Sequence, residues 1–209
     1  MPEDKPRAKQ ALAMGIEVLA ELQDMLYAQD NWAVLLVFQA MDAAGKDGAI
    51  KHVCRVSTHR GARFFHSRRL PATTSTMITC GVALNVSPSA AALVFSTAAT
   101  TKRLWSCGSS RMLHRQKIPP EVITKDIWEK RFQDIRGFER YFTRNVVAIC
   151  KFFLHVSSQE QKKRFLERIE EPEKNWKFSP ADAKERHYWK AYLEAYEDMI
   201  RNTATKAAP

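Results

Sequence analysis

Apolar residues recur along this chain with two different spacings, and the spacings divide it into helices and strands. Leu12, Ile16, Leu19, Leu22 and Leu26 repeat every three to four residues, which predicts an amphipathic helix over roughly residues 6–28 with that stripe turned inward. Residues 33–38, AVLLVF, form a short continuous apolar run, as expected of a parallel strand covered on both faces. A second such run occupies residues 146–154. Between the two, Ile127, Trp128, Phe132, Ile135, Phe138 and Phe142 mark a helix of about twenty residues.

The C-terminal third carries helix-start chemistry. Ser157 with Glu160 three residues on is a capping box, Phe165, Leu166 and Ile169 continue the helix behind it, and Pro172 ends it. Ser179, Pro180 and Asp182 supply an N-cap, a first-turn proline and a carboxylate at the positive end of the dipole. They predict a last helix whose buried stripe is Trp189, Tyr192, Leu193, Tyr196, Met199 and Ile200. Residues 203–209 are small and polar, and read as a loose tail or a truncated element.

The 209 residues suffice for one globular domain, and 1–209 is read as a single one. The first ten residues are charged, and no run of about 18 apolar residues exists, so a membrane span and a secretory signal are not expected and the cytoplasm is. Four scattered cysteines without metal-ligand spacing argue against a disulfide framework or a zinc site. The net charge of +10 is unevenly spread. Residues 54–111 hold eight Lys/Arg and no Asp or Glu, so they contribute +8 and the rest of the chain +2. About nine acids would be expected there at the rate of the remainder; the stretch has instead seventeen Ser/Thr and eight Ala.

The segment QAMDAAGKDG, residues 39–48, follows the first strand and precedes a short amphipathic segment. That is the position of a P-loop. Small residues at Ala43, Ala44, Gly45 and Gly48 let backbone N–H groups approach phosphate oxygens. The following helix aims its N-terminus at the anion, and Lys46 adds a point charge at the terminal phosphates. The pattern departs from GxxxxGK[ST] at Ala40 and at Asp47, which stands where a Mg²⁺-binding hydroxyl is expected. By pattern alone, a glycine turn that happens to precede a lysine is the competing reading.

VLLVFQAMDAAGKDGAIKHV resembles the Walker A region of the second family of polyphosphate kinases, P-loop enzymes that move phosphoryl groups between inorganic polyphosphate and nucleotides. MLHRQKIPPEVITKDIWEKRFQDIRGFERYFTRN, KFFLHVSSQEQKKRFLERIEEPEKNWKFSPAD and WKAYLEAYEDMI resemble successive later segments of that family. The resemblance covers 1–53 and 112–209. It implies an α/β fold, a P-loop kinase-like three-layer α/β/α sandwich with a parallel sheet and a helical lid. It also implies that Asp42 and Lys46 are catalytic, with Asp42 helping to hold Mg²⁺. Ala43, Ala44, Gly45, Asp47 and Gly48 then bind the phosphates. Lys174 and Lys177 lie in a family-like loop and are expected to touch substrate; packing of the intervening Trp176 is the alternative. The implied partners are polyphosphate, ADP or AMP, and further copies of the chain in a dimer or tetramer. Arg115, Lys117, Lys130 and Arg131 are candidates for guiding polyphosphate, against a plain solvated helix face. His155 is expected to be structural.

Residues 54–111 do not resemble the family where its second phosphate-and-metal motif, an (N/D)-R-S-x-Y strand end, belongs. Read one base earlier, Ser96 to Arg103 permits FNRSYYEE and Cys54 to Ser67 permits MSGVNPQGCEVFSF, peptides that the family carries at these places. A one-base slip near residue 54, reversed near 110, accounts for both the hidden peptides and the change in composition. It predicts a stretch poorly specified as structure, which need not pack as the family's sheet does, and little or no turnover. The absence of the family's usual aromatic and basic extension beyond the last helix adds to that expectation. Two other classes compete. Arg60, Arg63, Arg68, Arg69, Lys102 and Arg103 fit an RNA- or polyanion-binding insert on an inactive kinase-like scaffold, although only Phe64 and Phe65 offer stacking surfaces, which makes nucleic acid the weaker expectation. A nucleotide kinase of the thymidylate type would share the fold, and the C-terminal resemblance argues against it.

Overall fold

A computed structural model describes residues 4–53, 62–66, 93–97, 121, 124–177 and 186–209. In chain order the elements are α1 (Asp4–Gln29), β1 (Ala33–Ala40), α2 (Lys46–Val53), β2 (Ala62–His66), β3 (Leu93–Thr97), α3 (Ile127–Arg144), β4 (Val147–Leu154), α4 (Ser158–Glu170) and α5 (Trp189–Thr203). Short 3₁₀ turns at Pro172–Lys177 and Arg186–Tyr188 join α4 and α5 to their surroundings.

The described strands form one parallel sheet in the order β2-β3-β1-β4. Successive side chains of a strand point to opposite faces, and β1 uses this to face two layers. Ala33 and Leu35 pack with Val147 and Ile149 of β4 and with Phe142 of α3. Phe38 on the other face gathers Val34, Leu36, Leu26 of α1 and Ile50 of α2. Helices therefore cover the sheet on both sides. Arg115 and Lys117 lie outside the described residues, as does the N-cap expected at Ser179, Pro180 and Asp182.

Within 54–111 the described residues are 62–66 and 93–97, which pair as parallel strands, with Val37 level with Ser96 and Phe38 with Thr97. ARFFH and LVFST are rich in aromatic and β-branched residues, and a strand ladder is closed by backbone groups whatever the side chains. In α1, Leu12 and Leu22 are 44% and 55% exposed. The buried side of that helix centres on Gln23, because a second apolar stripe, Met14, Val18, Leu22 and Met25, runs along its outer face. Ile200, expected in the buried stripe of α5, is also exposed, whereas Tyr196 and Met199 are buried as expected.

The C-terminal residues are docked rather than loose. Ala208 is buried beside Ala33 and Phe142, and the Lys151 backbone N–H donates to the Pro209 carbonyl at 3.0 Å. Lys151 itself, a charge inside a strand, donates from Nζ to Glu139 Oε1 and to the Thr203 carbonyl, both at 2.8 Å. It thereby ties β4 to α3 and to the end of α5. The ion pair is buried on both sides, and burial pushes the Glu139 carboxyl above its ordinary range, against the pull of Lys151.

Candidate active site

The carboxyl ends of parallel strands are where α/β sheets bind ligands, and β1 ends there in the segment Met41 to Gly45. Ala40, Met41, Ala43 and Ala44 are buried, which suits their small or pliable side chains. The Ala44 N–H donates to the Met41 carbonyl at 3.2 Å and closes a tight turn. Ala43 takes a left-handed φ of 60° and Gly45 one of 88°. A side chain at Gly45 would be strained by that φ, and its Cβ would lie 3.1 Å from Arg164 Nη1. α2 opens at Lys46, and its first bond runs from the Ala49 N–H to the Gly45 carbonyl at 2.9 Å. A helix start directs its first-turn N–H groups outward along the axis; here they belong to Lys46, Asp47 and Gly48.

Asp42 and Lys46, both half-buried, therefore flank one tight loop between the end of a central strand and the start of a helix. The loop is gripped from the C-terminal half of the chain. Gln161 Nε2 donates to the Asp42 carbonyl at 2.9 Å and Arg164 Nη1 to the Ala43 carbonyl at 3.1 Å. Tyr196 reaches the Ala40 carbonyl more loosely, at 3.4 Å. α4 presents the first two residues because its start is fixed: Ser157 Oγ accepts from the Glu160 N–H at 3.1 Å, as the capping box predicts.

The expected site residues divide into two groups. Asp42, Ala43, Ala44, Gly45, Lys46 and the backbone of Asp47 and Gly48 come together in this loop. The side chains of Asp47, Lys174, Trp176 and Lys177 are outside the described structure. Lys174 and Lys177 fall on the Pro172–Lys177 turn, beyond the far end of α4. From Gln161 to that end the helix advances about 14 Å, and no described contact joins the turn to the loop. Lys130 is engaged on the surface by Asp126 at 2.8 Å, and hydrogen bonds from Lys130 and Thr124 hold that carboxyl down to about 2. The Arg131 guanidinium lies over the Trp128 ring. Neither arrangement marks a polyanion track. His155 is exposed just after β4.

Gln161 and Arg164 were not singled out from sequence. The available signal was a polar residue at 161 in register with Phe165 on the buried side of an amphipathic helix. A hard divalent cation suits the donor chemistry of the loop. Asp42 offers carboxylate oxygen beside the outward-directed first-turn amides of α2, and Mg²⁺ is ordinarily held by one or two carboxylates together with substrate phosphates. Among the described residues no three His, Cys, Asp or Glu side chains converge, and such a site needs no protein cage.

The model of the family described as Polyphosphate kinase 2 matches residues 3–74 and 117–209. The chain belongs to this family. It is 40% identical over 209 residues to the ADP-polyphosphate phosphotransferase of Rhodopseudomonas palustris, covering 99% of this chain and 72% of that protein. It is 36% identical over 207 residues to the AMP/ADP-polyphosphate phosphotransferase of Meiothermus ruber, covering 98% of this chain and 73% of the relative. Among solved structures, polyphosphate kinase 2 from Arthrobacter aurescens TC1 superposes with a TM-score of 0.81 at 29% identity, covering 98% of this chain and 71% of that one. The polyphosphate kinase 2 match reaches residue 74, so the part of the chain left out, 75–116, begins later than residue 54.

Proposed function

We propose that this chain transfers phosphoryl groups between inorganic polyphosphate and nucleoside mono- or diphosphates, AMP and ADP among them, in a Mg²⁺-dependent reaction. The observation that carries the reading is the loop between β1 and α2, which sets Asp42 and Lys46 four residues apart at the carboxyl edge of the sheet. A chain similar over nearly its whole length to phosphotransferases named for ADP or AMP/ADP and polyphosphate supports the substrate pair.

Both substrates are polyanions, and in phosphoryl transfer the protein mainly positions them and neutralises the charge of an in-line transition state. The N–H groups at the start of α2 point toward anionic oxygens, and the dipole of that helix adds to their pull. Lys46 contributes a cation at the migrating group. The attacking group is already a phosphate oxygen, so no imidazole is required as a base, and His155, exposed just after β4, is assigned no role in the transfer. The Asp42 carboxylate is the residue that would hold Mg²⁺. That ion, when bound, supplies Lewis-acid charge between donor and acceptor phosphates.

The second strand end fits the same frame. β3 lies beside β1 with Thr97 level with Phe38, four residues ahead of Asp42. The alternative reading frame would place Asn at 97 and Arg at 98, at the edge where a second clamp on the phosphates belongs. As written the chain has Thr97 and Ala98 there, and we expect its turnover to be low for that reason. Substrate contact by Lys174 and Lys177, a helical lid and a homodimer or homotetramer are what the family resemblance implies, and a cytoplasmic setting is what the charged N-terminus suggests. Among the described residues no helix is long and apolar enough to cross a membrane. The direct test is Mg²⁺-dependent formation of ATP from ADP and polyphosphate, abolished by Lys46→Ala and by Asp42→Asn. Activity that is indifferent to both substitutions contradicts the assignment.

A further inference from the structure

α4 meets the loop through two side chains three residues apart, and neither is explained by helix packing alone. Gln161 is 4% exposed, and while its Nε2 serves the Asp42 carbonyl, its Oε1 has no hydrogen-bond partner among the described residues. A buried acceptor left unsatisfied is destabilising, so packing by itself would favour an apolar residue there. Arg164 is held at two points, Nε to Glu160 Oε1 at 2.8 Å and Nη1 to the Ala43 carbonyl at 3.1 Å. Its guanidinium also closes over Gly45, where a side chain would be strained.

The loop needs such a hold. Ala43 is an L-residue at a φ of 60°, a left-handed conformation that is disfavoured for any residue with a Cβ. Across a trans peptide the C=O and N–H point in opposite directions. With the Asp42 carbonyl turned toward Gln161, the Ala43 N–H is turned away from α4, and the Asp42 backbone that bears the carboxylate is fixed at the same time.

We propose that Gln161 and Arg164 are positioning residues for phosphate binding. They draw the Asp42 and Ala43 carbonyls onto α4 and so set the Ala43 N–H and the Asp42 carboxylate for a bound triphosphate. The inference rests on the loop being the phosphate site, so its test must separate the two failures.

The test measures the dissociation constant of Mg·ATP and the melting temperature for the full chain and for Lys46→Ala, Gln161→Met, Arg164→Ala, Arg164→Lys and Glu160→Gln. Positioning predicts that Gln161→Met and Arg164→Ala weaken Mg·ATP at least about tenfold in folded protein. It also predicts that Arg164→Lys, which keeps one cationic donor for the Ala43 carbonyl, recovers to within about threefold, with Glu160→Gln intermediate. Gln161→Met removes the unsatisfied Oε1 along with the donor, so stability should change little while affinity falls. A role limited to docking the helix lowers the melting temperature and leaves the affinity of folded protein alone; that result overturns the inference. If Gln161→Met or Arg164→Ala does not fold, Arg164→Lys and Glu160→Gln decide it, with wild-type affinity in Glu160→Gln and no graded loss as the contrary result. If Lys46→Ala itself binds Mg·ATP like the parent, the loop assignment fails first and the inference with it.

Discussion

β1 has a parallel neighbour on each side, and the two neighbours come from sequence of different kinds. β4 lies in a region with ordinary acid content and a clear apolar run, and it is tied to α3 and α5 by the buried Lys151–Glu139 pair and the Thr203 carbonyl. β3 lies in 54–111, which has no acidic residue, and within 75–116, which the polyphosphate kinase 2 match leaves out. Both pair with β1 in register. A ladder of backbone hydrogen bonds asks little of the side chains, so a sheet can form whatever residue types stand at its carboxyl edge. The fold and the site therefore depend on sequence to different degrees. On the β4 side the elements that follow also grip the loop, whereas positions 97 and 98 on the β3 side are Thr and Ala.

The largest effect tests the β4 side. Lys151→Met should leave the Glu139 carboxyl buried without its cation and lower stability by about 3 kcal/mol or more, whereas the double change with Glu139→Gln should recover much of the loss. Urea unfolding of the single and double variants measures both. A single substitution that costs under about 0.5 kcal/mol would mean that this pair does not anchor β4.

On the β3 side, Thr97→Asn combined with Ala98→Arg restores the residue types of the other frame. It should raise polyphosphate-dependent ATP formation by about tenfold or more while changing the melting temperature little. Unchanged turnover would remove the strand end from the account and leave the loop alone.

Gly45→Ala should cost about 1–2 kcal/mol, since an L-residue there meets both a left-handed φ and the Arg164 guanidinium. The pH dependence is smaller. Because burial raises the Glu139 carboxyl, the folded chain keeps that proton to higher pH than the unfolded chain. The stability owed to this group is therefore greatest below its ordinary value of 4.5 and falls as pH rises through the folded value. Unfolding midpoints between about pH 4 and pH 7 should show that slope in the parent and lose it in Glu139→Gln. Arg201→Ala, which breaks an exposed pair with Glu197, should change stability by less than about 0.5 kcal/mol.

The sequence made legible what depends on local pattern. The strand at 33–38, the helix through Phe132 and Phe142, the capping box at Ser157 and the P-loop position of Asp42 and Lys46 all follow from neighbours within a few residues. Gln39 and Ala40 extend β1 beyond its apolar run because they pair with Phe153 and Leu154 across the ladder, which local pattern does not reveal. α1 misled because it is apolar on two faces, and only the packed molecule shows which face is inside. Lys151 had no account from sequence, since its partners stand 12 and 52 positions away. The grip of Gln161 and Arg164 was hidden for the same reason, being made by residues 119 and 121 positions beyond the carbonyls they hold.

The most direct measurement is Mg²⁺-dependent ATP formation from ADP and polyphosphate by the Thr97→Asn/Ala98→Arg protein with and without Lys46→Ala. The loop assignment predicts that removing the Lys46 ammonium costs about a hundredfold or more in turnover while the protein stays folded. Equal turnover with alanine at that position would contradict it.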